Sequence, residues 1–237
     1  MTLKKKAVTT VIRILVDILC RVRDDQLERV PQQGPLIIVS NHINFLEGPV
    51  IYTHLHPRQS TGYAAAKSWK NPLFAFIFNQ WEIISIKRGE PDLHAIRKGL
   101  DALKKGLLLA IAPEGTRSGN GRLQRGHPGV VLLAQKANVP ILPVVHYGGE
   151  YFWQNLKRLR RTDFSIVVGH PFQIKIPDSK INSEVRQKIV DEIMYQIAAL
   201  LPPENRGVYS DLSKATEEFL IFQPPSRSNL TLSRDST

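Results

Sequence analysis

Cysteine is almost missing from this chain: Cys20 stands alone among 237 residues. An intrachain disulfide is therefore excluded, and the usage fits a reducing compartment. No run approaches the roughly 20 consecutive apolar residues that a helix needs to span a bilayer. The phosphate-cradling GxxxxGK[ST] loop, the dinucleotide fingerprint GxGxxG and the GxSxG nucleophile elbow are all absent. No repeat is visible, and His54 and His56 lack a third ligand at metal-binding spacing. Acidic residues are also short: 21 Asp plus Glu face 32 Lys plus Arg, a formal charge of +11. That imbalance points to an anionic partner, namely nucleic acid, an anionic membrane or a phosphorylated substrate. Nucleic acid is disfavoured, because the cations are not interleaved with aromatics in a binding motif.

What is present begins with a basic, amphipathic stretch. After Lys4-Lys5-Lys6, the residues Val8, Val11, Ile12, Leu15, Leu19 and Val22 recur at helical spacing, with Thr10, Arg13, Asp17, Arg21 and Asp24 between them. The pattern predicts a helix over 4–23, either packed on the domain or lying in a membrane interface. Internal charges and the lack of a small-residue cleavage site argue against a signal peptide. The expected organisation is a basic helix at 1–28, a folded domain at 29–201 and a tail at 202–237, disordered from 224 onward.

Within the domain, apolar strands are expected at 36–39, 83–86, 107–112, 141–146 and 164–168. Helices are expected at 50–56, from Asn71-Pro72, at 93–105, at 129–137 and at 185–200. Apolar strands alternating with helices indicate an α/β fold: a mostly parallel sheet covered by helices on both faces. Such sheets bind ligands beyond the carboxyl ends of their strands. The first three expected strands end in Asn41-His42, in Lys87-Arg88 and in Pro113-Glu114-Gly115-Thr116-Arg117-Ser118. A histidine, cations and hydrogen-bonding groups would thus share one rim. His42 could take a proton from an alcohol, with Glu47 holding its ring. In a straight helix, positions five apart point about 140° apart, so the pair requires a turn between them. Arg88 and Arg117 suit forked hydrogen bonds to phosphate.

These residues resemble the motif blocks of the glycerolipid acyltransferases, which include the lysophosphatidate (1-acylglycerol-3-phosphate) acyltransferases. Asn41-His42 with Glu47 resembles the first block, usually written as histidine, four residues and aspartate. Ile86-Lys87-Arg88-Gly89 resembles the second, Pro113 to Ser118 the third, and Val139-Pro140-Ile141-Leu142-Pro143-Val144 the fourth. The resemblance covers about residues 30–150. It implies acyl transfer from a thioester, acyl-CoA or acyl carrier protein, to a lipid alcohol, with the hydroxyl of lysophosphatidate the expected acceptor in phospholipid synthesis. It implies His42 as base and Glu47 as its partner. Lys87, Arg88, Glu114, Gly115, Thr116, Arg117 and Ser118 would hold the acceptor, and Pro140 and Pro143 would support the acyl-donor side. It implies no metal or organic cofactor. The expected setting is peripheral, on the cytoplasmic face of an anionic membrane. Phe74, Phe76, Phe78 and Trp81 become candidate walls for an acyl chain, and Lys157, Arg158, Arg160 and Arg161 candidate contacts to headgroups. Glu47 departs from the usual aspartate and leaves another lysophospholipid or lipid alcohol as an alternative acceptor, or reduced activity; the basic surface leaves a non-catalytic anionic-lipid-binding role as the alternative of another class.

Overall fold

Strands that are apolar on both sides must be covered on both sides, and the computed structural model shows how this chain does it. It describes residues 2–87, 92–175 and 182–234. In chain order the regular elements are α1 (Leu3–Leu19), β1 (Cys20–Arg23), β2 (Leu36–Val39), α2 (Glu47–His54), β3 (Ser60–Ala65), α3 (Pro72–Gln80), β4 (Ile84–Ile86) and α4 (Leu93–Lys104). They continue with β5 (Leu108–Ile111), α5 (Gly129–Ala137), β6 (Ile141–Tyr147), α6 (Phe152–Lys157), β7 (Thr162–Val168), β8 (Gln173–Ile174), α7 (Ser183–Leu200), β9 (Leu220–Ile221) and α8 (Asn229–Arg234).

Seven strands form one sheet in the order β1-β7-β6-β2-β5-β3-β4, and β8 pairs with β9 apart from it. Every neighbouring pair in the large sheet is parallel except β6 with β7. Side chains alternate between two cores. Ile37, Val39, Leu109, Ile141 and Val145 meet α4, α5 and α7. Leu36, Ile38, Leu108, Leu142 and Val144 meet α2, Phe152 of α6 and Val16 of α1. The α/β architecture expected from alternating segments is therefore present.

Three departures have local causes. Residues 20–23, expected to continue the first helix, form edge strand β1, whose four residues pair in register with 162–165 of β7. Arg161 fixes that change by donating to the carbonyls of Asp17 and Cys20 at the helix end. Strand β3 was not expected at all. Its sequence, Ser-Thr-Gly-Tyr-Ala-Ala, has neither an apolar run nor alternation, yet it sits between β5 and β4. The tail, expected to be disordered from 224, carries α8 against α7. Asn229 is wholly buried, donates its N–H and its Nδ2 to Gln196 Oε1, and exchanges hydrogen bonds with the backbone of His170.

Helix α1 packs a mixed face on the domain: Val16 is buried, with Ile12 and Leu19 against the same core. Polar groups hold the same face: Lys5 pairs with Glu82 at 2.8 Å, Thr9 accepts from the Trp81 indole at 3.1 Å, and Arg13 donates to the Thr53 carbonyl at 3.2 Å. Leu3, Val11, Ile14, Leu15 and Ile18 are left exposed. Beside it, α3 starts as Asn71-Pro72 predicts, with the Asn71 carboxamide capping Leu73 and Phe74, and it exposes Leu73, Phe74 and Phe76. No helix among the described residues is long and apolar enough to cross a membrane.

Candidate active site

Strand β2 ends at Val39, and the chain then carries Asn41 and His42 into a loop before α2 begins at Glu47. The turn this pair requires is built by Asn44. Its backbone N–H donates to Glu47 Oε2 at 2.9 Å, its carboxamide oxygen accepts from Leu46 at 2.8 Å, and its Nδ2 donates to the Gly149 carbonyl at 2.7 Å. The helix starts at residue 47, and Glu47 Oε1 hydrogen-bonds His42 Nδ1. Burial would raise the Glu47 pKa. The hydrogen bond to His42, the charges of His146 and His42, and the Asn44 N–H outweigh burial and lower it. The carboxylate is thus ionised behind the ring, and Nε2 is the ring nitrogen left to act.

Both backbone groups of His42 are held by the loop after β5. Its N–H donates to Glu114 Oε1 at 2.6 Å, and its carbonyl accepts from Ser118 N at 2.8 Å; Gly119 N donates to Ile43 O at 2.9 Å. Glu114 is only 1% exposed and spends its second oxygen on Gln124 N at 2.9 Å. Burial, with the Glu47 charge adding to it, pushes its pKa up to about 7 despite those hydrogen bonds. Gly115 turns the loop at φ +64°, where a Cβ would come within 3.2 Å of the His127 ring. On the other flank, Asn41 makes a paired contact with the backbone of His146, at 2.8 and 3.0 Å, and His146 Nε2 lies 3.0 Å from the Asn41 carbonyl.

His42 and Glu47 border a cavity of about 380 Å³ that also takes in Thr116 and Arg117. The cavity exists because β3 and β5 present Gly62, Ala64 and Ala110 to this face, where larger side chains would fill the space. From the rim it runs inward past Ile51, Tyr52, Leu55, Phe78, Trp81 and Leu108. Tyr52 and Trp81 stack with centroids 4.1 Å apart. Of the aromatics expected to line an acyl chain, Phe78 and Trp81 do border the cavity, whereas Phe74 and Phe76 face outward.

The expected residues are therefore brought together only in part. His42, Glu47, Thr116 and Arg117 share the cavity, while Ser118 and Glu114 stand behind His42 and hold its backbone. Lys87 ends edge strand β4, gives its N–H to Asp92, and does not line the cavity. Arg88 lies outside the described residues. Pro140 and Pro143 do not line the cavity either; they belong to the β6 side of β2, where Pro140 O accepts from Ile37 and Pro143 is paired with Val39. The cation that was missed is Lys67, just past β3, which lines the cavity with Arg117. Its signal was the same as for the others, a charged residue after a strand end, but the strand itself went unread. Neither Lys67 nor Arg117 has an ion-pair partner among the described residues. A second omission is Asn205, far along the chain, which donates to Gly121 O at 2.9 Å and accepts from Leu123 N at 2.9 Å, bracing the loop that braces His42.

A profile of the family described as Acyltransferase matches residues 21–147, more than half of the chain. The chain belongs to the acyltransferase family. A chloroplastic 1-acyl-sn-glycerol-3-phosphate acyltransferase of Brassica napus is 31% identical over 126 residues, which are 52% of this chain and 36% of the relative. A 1-acyl-sn-glycerol-3-phosphate acyltransferase of Pseudomonas aeruginosa is 25% identical over 197 residues, 82% of this chain and 75% of the relative. This acyltransferase-family chain thus spans about a third of the Brassica protein and three quarters of the Pseudomonas one. The crystal structure of a 1-acyl-sn-glycerophosphate acyltransferase from Thermotoga maritima matches with a TM-score of 0.57 at 21% identity, covering 80% of this chain and 76% of that one. At that identity the match establishes the shared fold.

Proposed function

We propose that this chain transfers a fatty acyl group from an acyl thioester, acyl-CoA or acyl carrier protein, to the free hydroxyl of lysophosphatidate. The observation that carries this reading is the His42–Glu47 pair at the rim of an apolar cavity that holds two uncommitted cations. With Nδ1–H given to Glu47, His42 Nε2 accepts the acceptor hydroxyl's proton as its oxygen attacks the thioester carbonyl. The C–S bond breaks as the tetrahedral adduct collapses, and the departing thiolate takes the proton from His42 Nε2, which restores the base. Glu47 offsets the transient imidazolium charge. Arg117 and Lys67 suit the acceptor phosphate, Arg117 through its planar fork and Lys67 as a point charge. The cavity wall from Ile51 to Trp81 suits an acyl chain.

The substrate is a lipid, and the exposed apolar side of α1 supports a peripheral position on a membrane. A helix already anchored through Val16, Thr9 and Arg13 that still leaves Val11, Ile14, Leu15 and Ile18 outward fits a lipid interface better than water. The acceptor reading is the finer one. Glu47 in place of aspartate keeps its contact with the ring, so the altered residue does not by itself argue for another acceptor.

The test is thiol release from acyl-CoA by purified protein, with lysophosphatidate, glycerol phosphate and other lysophospholipids offered in parallel. Turnover with lysophosphatidate that falls by about 10²–10⁴-fold in His42→Ala is expected, the usual worth of a general base. Wild-type turnover in His42→Ala would reject the base; turnover only with an uncharged lipid alcohol would reject the phosphate acceptor.

A further inference from the structure

The segment that follows β6 is an unusual covering for a water-facing corner. Tyr151 and Trp153 are more than half exposed, and Leu159 is 95% exposed. Leu159 marks the tip, at φ +52°, between Arg158 and Arg160. Lys157, Arg158 and Arg160 are exposed, and none has an ion-pair partner among the described residues. A water-soluble loop gains nothing from presenting a tryptophan and a bare leucine among unneutralised cations. An anionic lipid surface takes both kinds of group: indole at headgroup depth, leucine below it, cations on the phosphates.

Its position in the fold gives this composition a use. Strand β6 is parallel to β2, so the segment emerges from the same end of the sheet as His42. The Trp153 ring lies 5.5 Å from that of Phe45, which lines the cavity. At the segment's far end, Arg161 donates to the carbonyls of Asp17 at 2.6 Å and Cys20 at 2.6 and 3.2 Å. Those carbonyls close α1 next to exposed Ile18. The corner is therefore tied to the cavity wall on one side and to the apolar helix on the other.

We propose that residues 151–160 are a second membrane-contact element, which seats Trp153 and Leu159 in an anionic bilayer, with Lys157, Arg158 and Arg160 on its phosphates. With α1 as the other contact, the rim bearing His42 is held toward the lipid. The purpose of that arrangement rests on the acyltransferase reading above; the contact itself does not.

The experiment is co-sedimentation of the full chain with vesicles of phosphatidylcholine alone, or of phosphatidylcholine with phosphatidylglycerol, at low and high salt. A cation near such a surface is worth about fivefold in partitioning, so three give about a hundredfold. Lys157→Gln/Arg158→Gln/Arg160→Gln is expected to bind the anionic vesicles about a hundredfold less and to lose the salt dependence. Trp153→Ala/Leu159→Ser is expected to lose the binding that survives high salt. The cation variant should unfold at the wild-type temperature and turn over short-chain, monomeric substrates normally, and so should Leu159→Ser alone, which leaves the Trp153–Phe45 contact in place. Unchanged vesicle binding in both variants would overturn the proposal. So would unchanged vesicle binding with turnover lost only for acyl carrier protein donors, which would assign the patch to an acidic protein. If the wild type releases no thiol from any donor, the acyl-transfer reading fails while the vesicle arms still decide this one.

Discussion

On one face of the sheet, Ile37, Val39, Leu109 and Ile141 meet α4, α5 and α7 without a gap, and Ile189, Val190, Ile193, Met194 and Ile197 of α7 are wholly buried. On the other, Ile38 and Leu108 meet α2, but Gly62, Ala64 and Ala110 leave a cavity, and α1, seated by Val16 and the Thr9–Trp81 hydrogen bond, leaves Val11, Ile14, Leu15 and Ile18 outward. The difference divides the labour. The closed face supplies the burial that stabilises the fold, and the open face keeps the space that a substrate needs and an exposed apolar surface. The first way to break this comparison is a matched pair of truncations. Ile193→Ala should lower unfolding free energy by about 2–5 kcal/mol, because a close-packed interior cannot collapse onto the hole. Leu55→Ala, on the cavity wall, should cost clearly less in the same urea titration, since the side chain already borders empty space. Equal losses would mean that the cavity is filled by packing the static structure does not show.

The strands of both faces were legible wherever they were apolar throughout, because such runs have only one place to go. What escaped was β3, and the reason is instructive. Its Gly62 and Ala64 are small because they line a void, so the residues that make the cavity are those that remove the hydrophobic signal of a strand. Losing β3 hid Lys67, and with β3 in place Lys87 follows the edge strand β4, away from the cavity. The dyad was legible from His42 and Glu47 alone, but its supports were not. Asn205 reaches the loop from across the chain, and Glu114 reads as a ligand for substrate until its burial shows it holding the His42 backbone.

Glu114 sits where the two faces meet, and it gives a second test. Its pKa rises from the model-compound 4.5 to about 7 on folding. Between those values the folded protein binds more protons than the unfolded chain, so stability falls as pH increases from about 4.5 to about 7 and then levels off. The window amounts to roughly 3 kcal/mol at 1.36 kcal/mol per pKa unit. Urea titrations across it should show the fall in wild type and a flatter profile in Glu114→Gln, which has no proton to lose. The same variant turns an amide donor toward the N–H of His42 or of Gln124, so its kcat should drop with little change in KM for the acceptor. A changed KM with an unchanged pH profile would return Glu114 to the substrate side of the site.

The attachment of α1 offers a smaller effect. The Trp81 indole is buried and donates to Thr9 Oγ1 at 3.1 Å. Thr9→Val keeps the shape and removes the acceptor, leaving a buried N–H unpaired at a cost of about 1–3 kcal/mol. Because Trp81 stacks on Tyr52 at the inner end of the cavity, the variant should also alter preference among acyl chain lengths, read as the ratio of kcat/KM for two donors. A stability loss without a change in that ratio would confine α1 to holding the fold.

The smallest effect on stability should come from the outward side of the same helix. Ile14 and Ile18 are 53% and 61% exposed, and replacing both with serine removes few contacts within the protein, so the unfolding free energy should move by no more than about 0.5 kcal/mol per site. In water the substitution even removes an apolar patch. On a bilayer the balance reverses, because each isoleucine gives up about 1.5–3 kcal/mol of burial if it was fully immersed. Ile14→Ser/Ile18→Ser should therefore be as stable as wild type and yet sediment poorly with vesicles, neutral ones included. Thr9→Val shows the opposite pattern, weakened in the fold with its outward side intact. If the serine variant loses stability in proportion to its loss of vesicle binding, then α1's outer side packs against protein in solution, and the division between a closed and an open face would end at the sheet.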